Sequence, residues 1–364
     1  MHRSAFMFPP RLRALLTTFV LLACCGAAAQ AQIRGAGSTA AAPVYRVWAD
    51  SFRAASGSAV AYDAVGSGEG MRRIRAGEVD FGASDVPLAP DEARRQGLVL
   101  VPTVVTAAVP VVNLPGVPAG QLHLSGEALA AIYLGQIESW DAAEIRALNP
   151  GLALPRLKIR PVARTDASGT TFHFTSYLSE VSPDWKARFG ARSTVAWPAG
   201  FLPAKGSGEV VHAVQGTSGA IGYVDYNYVL EAGLNAVLLR NASGQFVAAG
   251  VNAFRQAVLN SDWNRKGDFA SPLVNRGGHD TWPITMGTFI AVPAVSRDGP
   301  RTLAALRFLA WGYLHGDELA RQARFVPLPE RVQASAYREL AGVTDRAGNA
   351  IGLQSMGGPA AGAR

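Results

Sequence analysis

The chain has 364 residues, 34 Lys and Arg against 27 Asp and Glu, and 49% hydrophobic residues. It is long enough for two substantial cores, and with no Lys- or Arg-rich run and no zinc-finger spacing it gives nucleic-acid binding little support. Its two cysteines, Cys24 and Cys25, are adjacent and near the N-terminus, which excludes a disulfide framework or a thiolate metal site in the rest of the chain.

The first element is a secretory signal over residues 1–31. Arg3, Arg11 and Arg13 form a basic head, Ala14 to Gly26 is apolar but too short to span a membrane, and Ala27 to Ala31 offers small-residue cleavage sites. Leu21-Leu22-Ala23-Cys24 also resembles a lipoprotein cleavage box, so an acylated Cys24 is the alternative to a free periplasmic protein. Without the three arginines of the signal, 31 basic residues face 27 acidic ones, a net charge of +4. A mild positive field suits a small anion but decides nothing alone.

Beyond the signal, strand-like and helix-like segments alternate, the pattern of an α/β fold. Gly35-Ala36-Gly37-Ser38-Thr39 follows a short apolar start, and a helix is expected over 43–55, with Val44, Val47, Trp48 and Phe52 on one face. Ala59 to Ala64 alternates as a strand. Gly66-Ser67-Gly68-Glu69-Gly70 turns into a helix ended by Gly77, and Val79 to Ala83 is a short strand with Ser84-Asp85 at its end. Pro102 to Pro115 and Pro283 to Val292 are apolar runs suited to strands that cross between lobes. Helices are expected near 301–315 and 330–341, and the Gly- and Ala-rich tail after Gly348 is expected to be loose. No internal repeat stands out.

The segment 162–177 carries most of the chemistry. Arg164 precedes Asp166-Ala167-Ser168-Gly169-Thr170, and an aromatic helix-like run follows. Ser168 suits an N-cap. A helix start presents unpaired N–H groups and the positive end of its dipole, Gly169 lets an anion approach the backbone, and Arg164 adds a planar donor fork. On this segment alone, an anion cradle and an ordinary capped helix with an Arg–Asp surface pair are about equally supported. Ser38-Thr39-Ala40, Ser67-Gly68 and Ser84-Asp85 share the same small, hydroxylated character at strand-to-helix junctions. Such junctions gather where open α/β sheets bind ligands.

The chain resembles the phosphate-binding proteins of the phosphate-specific ABC transport system, over essentially all of the mature sequence. The resemblance rests on Gly35 to Thr39 with Pro43-Val44-Tyr45 and Trp48-Ala49-Asp50, on Val79 to Asp85, and on Ile132-Tyr133-Leu134-Gly135 with Trp140-Asp141. Leu148 to Gly151, Arg164 with Asp166 and Ser168 to Thr170, Phe174 to Leu178, Gly219 to Val224 and Trp282 to Thr285 complete it. It implies a two-lobed periplasmic binding protein fold of type II-like architecture: two open sheets flanked by helices, a two-strand hinge and a ligand cleft between lobes. Lobe I would be 32–104 plus 286–364, and lobe II 105–285. It further implies extracytoplasmic binding of inorganic phosphate and delivery to a membrane permease, by a monomer without cofactor, metal or enzymatic activity.

The resemblance also implies residue roles. Thr39 would donate by hydroxyl and backbone N–H, Ala40 by N–H alone, and Ser67 from the other side of the first lobe. Arg164, Ser168, Gly169 and Thr170 would donate from the second lobe, and Asp166 would hold the Arg164 guanidinium without touching the ligand. Asp85 is otherwise read as a turn or N-cap aspartate. With the resemblance, it becomes the acceptor for the proton that phosphate carries and sulfate lacks, a repulsive filter against the deprotonated anion.

Two departures from the family pattern stand out. Ala40 replaces a common aromatic, and Glu69 sits two residues from Ser67, where it would repel an anion if it faced inward. Glu69 is therefore expected to pair with Arg72 or Arg73 at helical spacing. The rival readings are the same fold with arsenate, sulfate, molybdate or an organic phosphate, and a phosphatase-like hydrolase using Ser168 and His173. Five positions apart on a helix, those two do not face each other, and no Gly-x-Ser-x-Gly elbow is present.

Overall fold

The computed structural model describes residues 32–352; the expected signal, Cys24 and the tail beyond 352 lie outside the described residues. Thirteen strands are found among the described residues: β1 (Ile33–Gly37), β2 (Val60–Ala64), β3 (Phe81–Ser84), β4 (Leu98–Val112), β5 (His123–Leu124), β6 (Arg160–Arg164), β7 (Leu202–Ala204), β8 (Ala220–Asp225), β9 (Asn235–Ala236), β10 (Leu238–Arg240), β11 (Phe246–Val247), β12 (Thr285–Pro293) and β13 (Val326–Pro327). The main path runs β2-β1-β3-β12-β4-β8-β6-β7, with β9 and β13 on β4, and β11-β10-β5 form a small second sheet.

The two halves of the main path meet on β4. Its Leu98–Ala107 stretch pairs antiparallel with β12, and Ala108–Val112 pair with β8. A strand buried on both faces reads as a continuous apolar run, which is why this segment is so rich in valine. The register slips where Phe289 meets Pro102, a residue that has no N–H to offer a ladder.

The strand order shows a repeated unit in a chain in whose sequence no internal repeat stands out. β2-β1-β3 and β7-β6-β8 are the same parallel three-strand unit, placed on either side of the β12-β4 pair. In each, the first strand leads into a long helix, Ala42–Ser56 or Gly169–Val181. The second leads into another, Ser67–Ala76 or Gly206–Gly216, and the third closes the unit. The carboxyl ends of both units therefore face the same crevice.

Large aromatic side chains fix the helices on these sheets. Trp48 is 2% exposed and donates its indole N–H to the Gly316 carbonyl at 3.0 Å. A Cβ on Gly312 would stand 2.7 Å from its ring, so the helix Gly299–His315 has room for Trp48 only because of that glycine. Phe174 stacks on Tyr223 at 4.1 Å, seating the helix Gly169–Val181 on β8 beside the end of β6.

Candidate functional site

Each expected site residue lies at a strand end or a helix start. Thr39 and Ala40 follow β1, Ser67 opens its helix, Asp85 follows β3, and Arg164 ends β6. Ser168 is the N-cap of the helix Gly169–Val181, its Oγ accepting the Thr171 N–H at 3.2 Å. All of these, with Gly169 and Thr170, are buried.

Two hydrogen-bond groups form. In the first, Asp85 Oδ2 accepts the hydroxyls of Ser38 at 2.7 Å and Ser67 at 3.3 Å, and the Asp85 N–H donates to Ser67 Oγ at 3.1 Å. Gly169 packs directly on this group: a Cβ there would stand 2.5 Å from Asp85 Cβ and 2.7 Å from Ser67 Oγ. In the second, Asp225 accepts Thr170 Oγ1 at 3.0 Å on Oδ1 and Ser207 Oγ at 2.6 Å on Oδ2, and Ser207 Oγ lies 2.9 Å from Thr39 Oγ1. The expected ligand residues Thr39 and Thr170 thus already have protein partners for their hydroxyls.

Arg164, 2% exposed, is held as expected: Nε and Nη2 donate to Asp166 Oδ1 and Oδ2 at 2.7 and 2.6 Å. Burial works against both charges, yet each pushes the other's pKa the opposite way, Arg164 up and Asp166 down. The Asp166 Oδ1 also accepts the Gly206 N–H at 3.1 Å, so the pair is anchored in turn.

Asp85 is the electrostatic outlier. Burial, followed by the charge of Asp225, pushes its pKa up to about 7, while Ser38, Ser67 and Arg164 pull it down. Its Oδ1 is buried and has no hydrogen-bond partner, one of three such side-chain atoms among the described residues. A buried acceptor without a donor costs free energy on the order of 1–3 kcal/mol.

The halves touch in several places. The Gly68 N–H donates to the Ala167 carbonyl at 3.0 Å, Thr39 meets Ser207, and His173 Nε2–H donates to the Asp85 carbonyl at 2.6 Å. Burial pushes the His173 pKa down to about 4, so the ring is neutral at pH 7.

Residues 26–277 match the PBP superfamily domain. The phosphate-binding protein PstS of Xylella fastidiosa is 40% identical over 308 residues, 84% of each chain, and that of Haemophilus influenzae is 39% identical over 300 residues, 82% of this chain and 90% of its own. The chain belongs to the PstS phosphate-binding protein family. A solved structure of similar fold is a putative phosphate ABC transporter substrate-binding protein with bound phosphate from Clostridium perfringens. Its TM-score is 0.60 at 18% identity, covering 82% of this chain and all of that one. The two-lobed periplasmic binding protein fold is therefore the architecture of this PstS-family chain.

Glu69 takes the orientation its spacing implied. It accepts from Arg72 Nε at 2.8 Å and Arg73 Nε at 2.9 Å, and these pairs hold its carboxyl down to about 2. It lines an outer groove of about 700 Å³ with Thr39, Gly68, Asp166, Lys205 and Gly206, rather than the buried group around Asp85. Exposed pairs of this kind contribute little, so Glu69→Gln is expected to leave phosphate affinity within about twofold of wild type. Calorimetric titration checks this; much tighter binding would place the Glu69 charge in the site.

Reading the residues alone missed Asp225, Ser207, Ser38 as a partner of Asp85, and His173 as a bridge. A signal for two of them was present. Gly206-Ser207-Gly208 copies Gly66-Ser67-Gly68, and Asp225 ends its strand as Asp85 follows β3.

Proposed function

We propose that the chain binds inorganic phosphate between its lobes, outside the cytoplasm, and hands it to the permease of an ABC importer. The observation that carries this reading is the partnerless, buried Oδ1 of Asp85, a carboxyl on which the charge of the fixed Arg164 guanidinium acts. Phosphate at neutral pH keeps one P–OH, which gives that oxygen its missing donor. Its other oxygens are negative, and they suit Arg164 and the N–H groups at the start of the helix Gly169–Val181.

The proposed ligand residues are Thr39, Ala40, Ser67, Asp85, Arg164, Ser168, Gly169 and Thr170, with Asp166 fixing Arg164. The lobes proposed are 32–104 with 286–352 and beyond, and 105–285, hinged where β4 and β12 cross. The names of the relatives support a periplasmic binding protein feeding an ABC permease. Among the described residues no helix is long and apolar enough to cross a membrane. The hydrolase alternative loses its pair here: Ser168 Oγ caps a helix and His173 Nε2 is spent on the Asp85 carbonyl.

Titration calorimetry with phosphate and sulfate, on wild type and Asp85→Asn, tests the reading. Wild type is expected to bind phosphate and reject sulfate at pH 8, where Asp85 is ionised and only accepts. Asp85→Asn has a donor to offer and narrows the gap by about tenfold or more. Because burial pushes the Asp85 carboxyl up to about 7, lowering the pH to 5 is expected to protonate it and narrow the gap in wild type too. Equal heats for both anions at pH 8 would refute the proposal.

A further inference from the structure

The two serine–aspartate pairs are copies of one device. Gly66-Ser67-Gly68-Glu69 recurs as Gly206-Ser207-Gly208-Glu209, and in each case the serine bonds an aspartate 18 positions later, Asp85 or Asp225. Yet the copies differ in what they leave free. Asp85 keeps one oxygen empty, whereas both oxygens of Asp225, fully buried, are filled by hydroxyls.

The direction of each hydrogen follows from chemistry. An ionised carboxylate only accepts, so Ser207 spends its one hydrogen on Asp225 Oδ2 and Thr170 spends its own on Oδ1. Ser207 then has no hydrogen for Thr39, and the 2.9 Å contact must be donated by Thr39. With Asp225 ionised, the Thr39 hydroxyl therefore presents only lone pairs to the crevice, and of Thr39 only the backbone N–H is left to meet an anion. One proton on Asp225 Oδ2 reverses the chain. Asp225 then donates to Ser207, Ser207 donates to Thr39, and the Thr39 hydrogen is released toward the ligand.

We propose that Asp225 takes up one proton from solvent when phosphate enters, and that this turns the Thr39 hydroxyl into a donor to the bound anion. The inference rests on the phosphate reading above. No covalent bond of phosphate is made or broken, and its own proton stays for Asp85.

Burial favours the proton on Asp225, against the nearby cation. Arg164 from β6 is the cation acting on it and is already matched by Asp166; Asp85 and Tyr228 are the acidic groups facing it, with Tyr223 beside Arg164. Burial alone raises the Asp225 pKa against the pull of Ser207, Arg164 and Thr170. A dianion entering next to Asp85 adds like charge and raises it further.

Calorimetry with inorganic phosphate at pH 8, in two buffers of different ionisation enthalpy, counts the protons taken up. Wild type is expected to take up more protons than Asp225→Asn, by up to one; at pH 8 Asp85 is mostly ionised in wild type and, without the charge of Asp225, more so in the variant, so it adds little to either count. Asn mimics the protonated acid: its Nδ2 donates to Ser207 and its Oδ1 accepts from Thr170. It needs no proton and is therefore expected to bind phosphate more tightly than wild type at pH 8, and wild type weakens by up to about tenfold more than Asp225→Asn for each further pH unit. In wild type, an infrared carboxylic-acid C=O band appears on adding phosphate and is absent from Asp225→Asn. Equal proton counts and equal pH slopes in the two proteins would overturn the role of Asp225, as would loss of binding in a folded Asp225→Asn. No heat with wild type would instead overturn the phosphate reading, and this one with it.

Discussion

Gly169→Ala is expected to weaken phosphate binding by roughly 5- to 150-fold while leaving thermal unfolding of the empty protein nearly unchanged. The added methyl would stand 2.5 Å from Asp85 Cβ and 2.7 Å from Asp85 Oδ2 and Ser67 Oγ, closer than real Cβ contacts come. Overpacking of this kind costs about 1–3 kcal/mol, and each 1.4 kcal/mol is about tenfold in affinity. Gly169 belongs to the β7-β6-β8 half, whereas Asp85 and Ser67 belong to the β2-β1-β3 half. The clash therefore opposes their approach rather than the folding of either. Calorimetry and a melting curve separate the two effects. Wild-type affinity in Gly169→Ala would show that the halves do not need this contact when the ligand is bound.

Arg164→Ala is expected to abolish measurable phosphate binding and to cost the fold on the order of 3 kcal/mol, since truncating one member of a buried ion pair strands the other. Asp166 is 12% exposed at its side chain, so the stranded carboxylate is only partly relieved by water. Arg164→Lys keeps the charge but not the two-pronged grip on Asp166 Oδ1 and Oδ2, and falls between. Urea unfolding measures the stability term. An alanine variant as stable as wild type would mean that the Arg164–Asp166 pair contributes nothing net.

The legible part of this molecule is its local part. Asp85 after β3, Arg164 before a Ser-Gly-Thr helix start, and Glu69 spaced three and four residues from Arg72 and Arg73 each announce themselves within one turn or one strand end. So does β4, whose valines reflect burial on both faces. What stayed hidden depends on the second half arriving opposite the first. The Thr39–Ser207 contact spans 168 positions and the His173–Asp85 bridge 88, and no local pattern foretells either. Asp225 lies one residue past the quoted Gly219 to Val224 motif. It looks like an ordinary strand-end acid until Thr170 and Ser207 are seen on its oxygens. The duplicated three-strand unit was masked for a different reason: hydrophobic strands and amphipathic helices accept many sequences, so only the turn Gly-Ser-Gly-Glu survived as a visible copy.

The seat of Trp48 has a bearing on how the chain matures. Its indole waits for the Gly316 carbonyl, 268 positions later, and for the hollow left by Gly312. The part of the protein made first is thus completed last. A chain interrupted after β12 would carry the strands of its leading half, but with Trp48, Phe52 and Phe81 uncovered where Phe308, Trp311 and Gly312 should lie. Unfinished molecules would advertise themselves by an oily face.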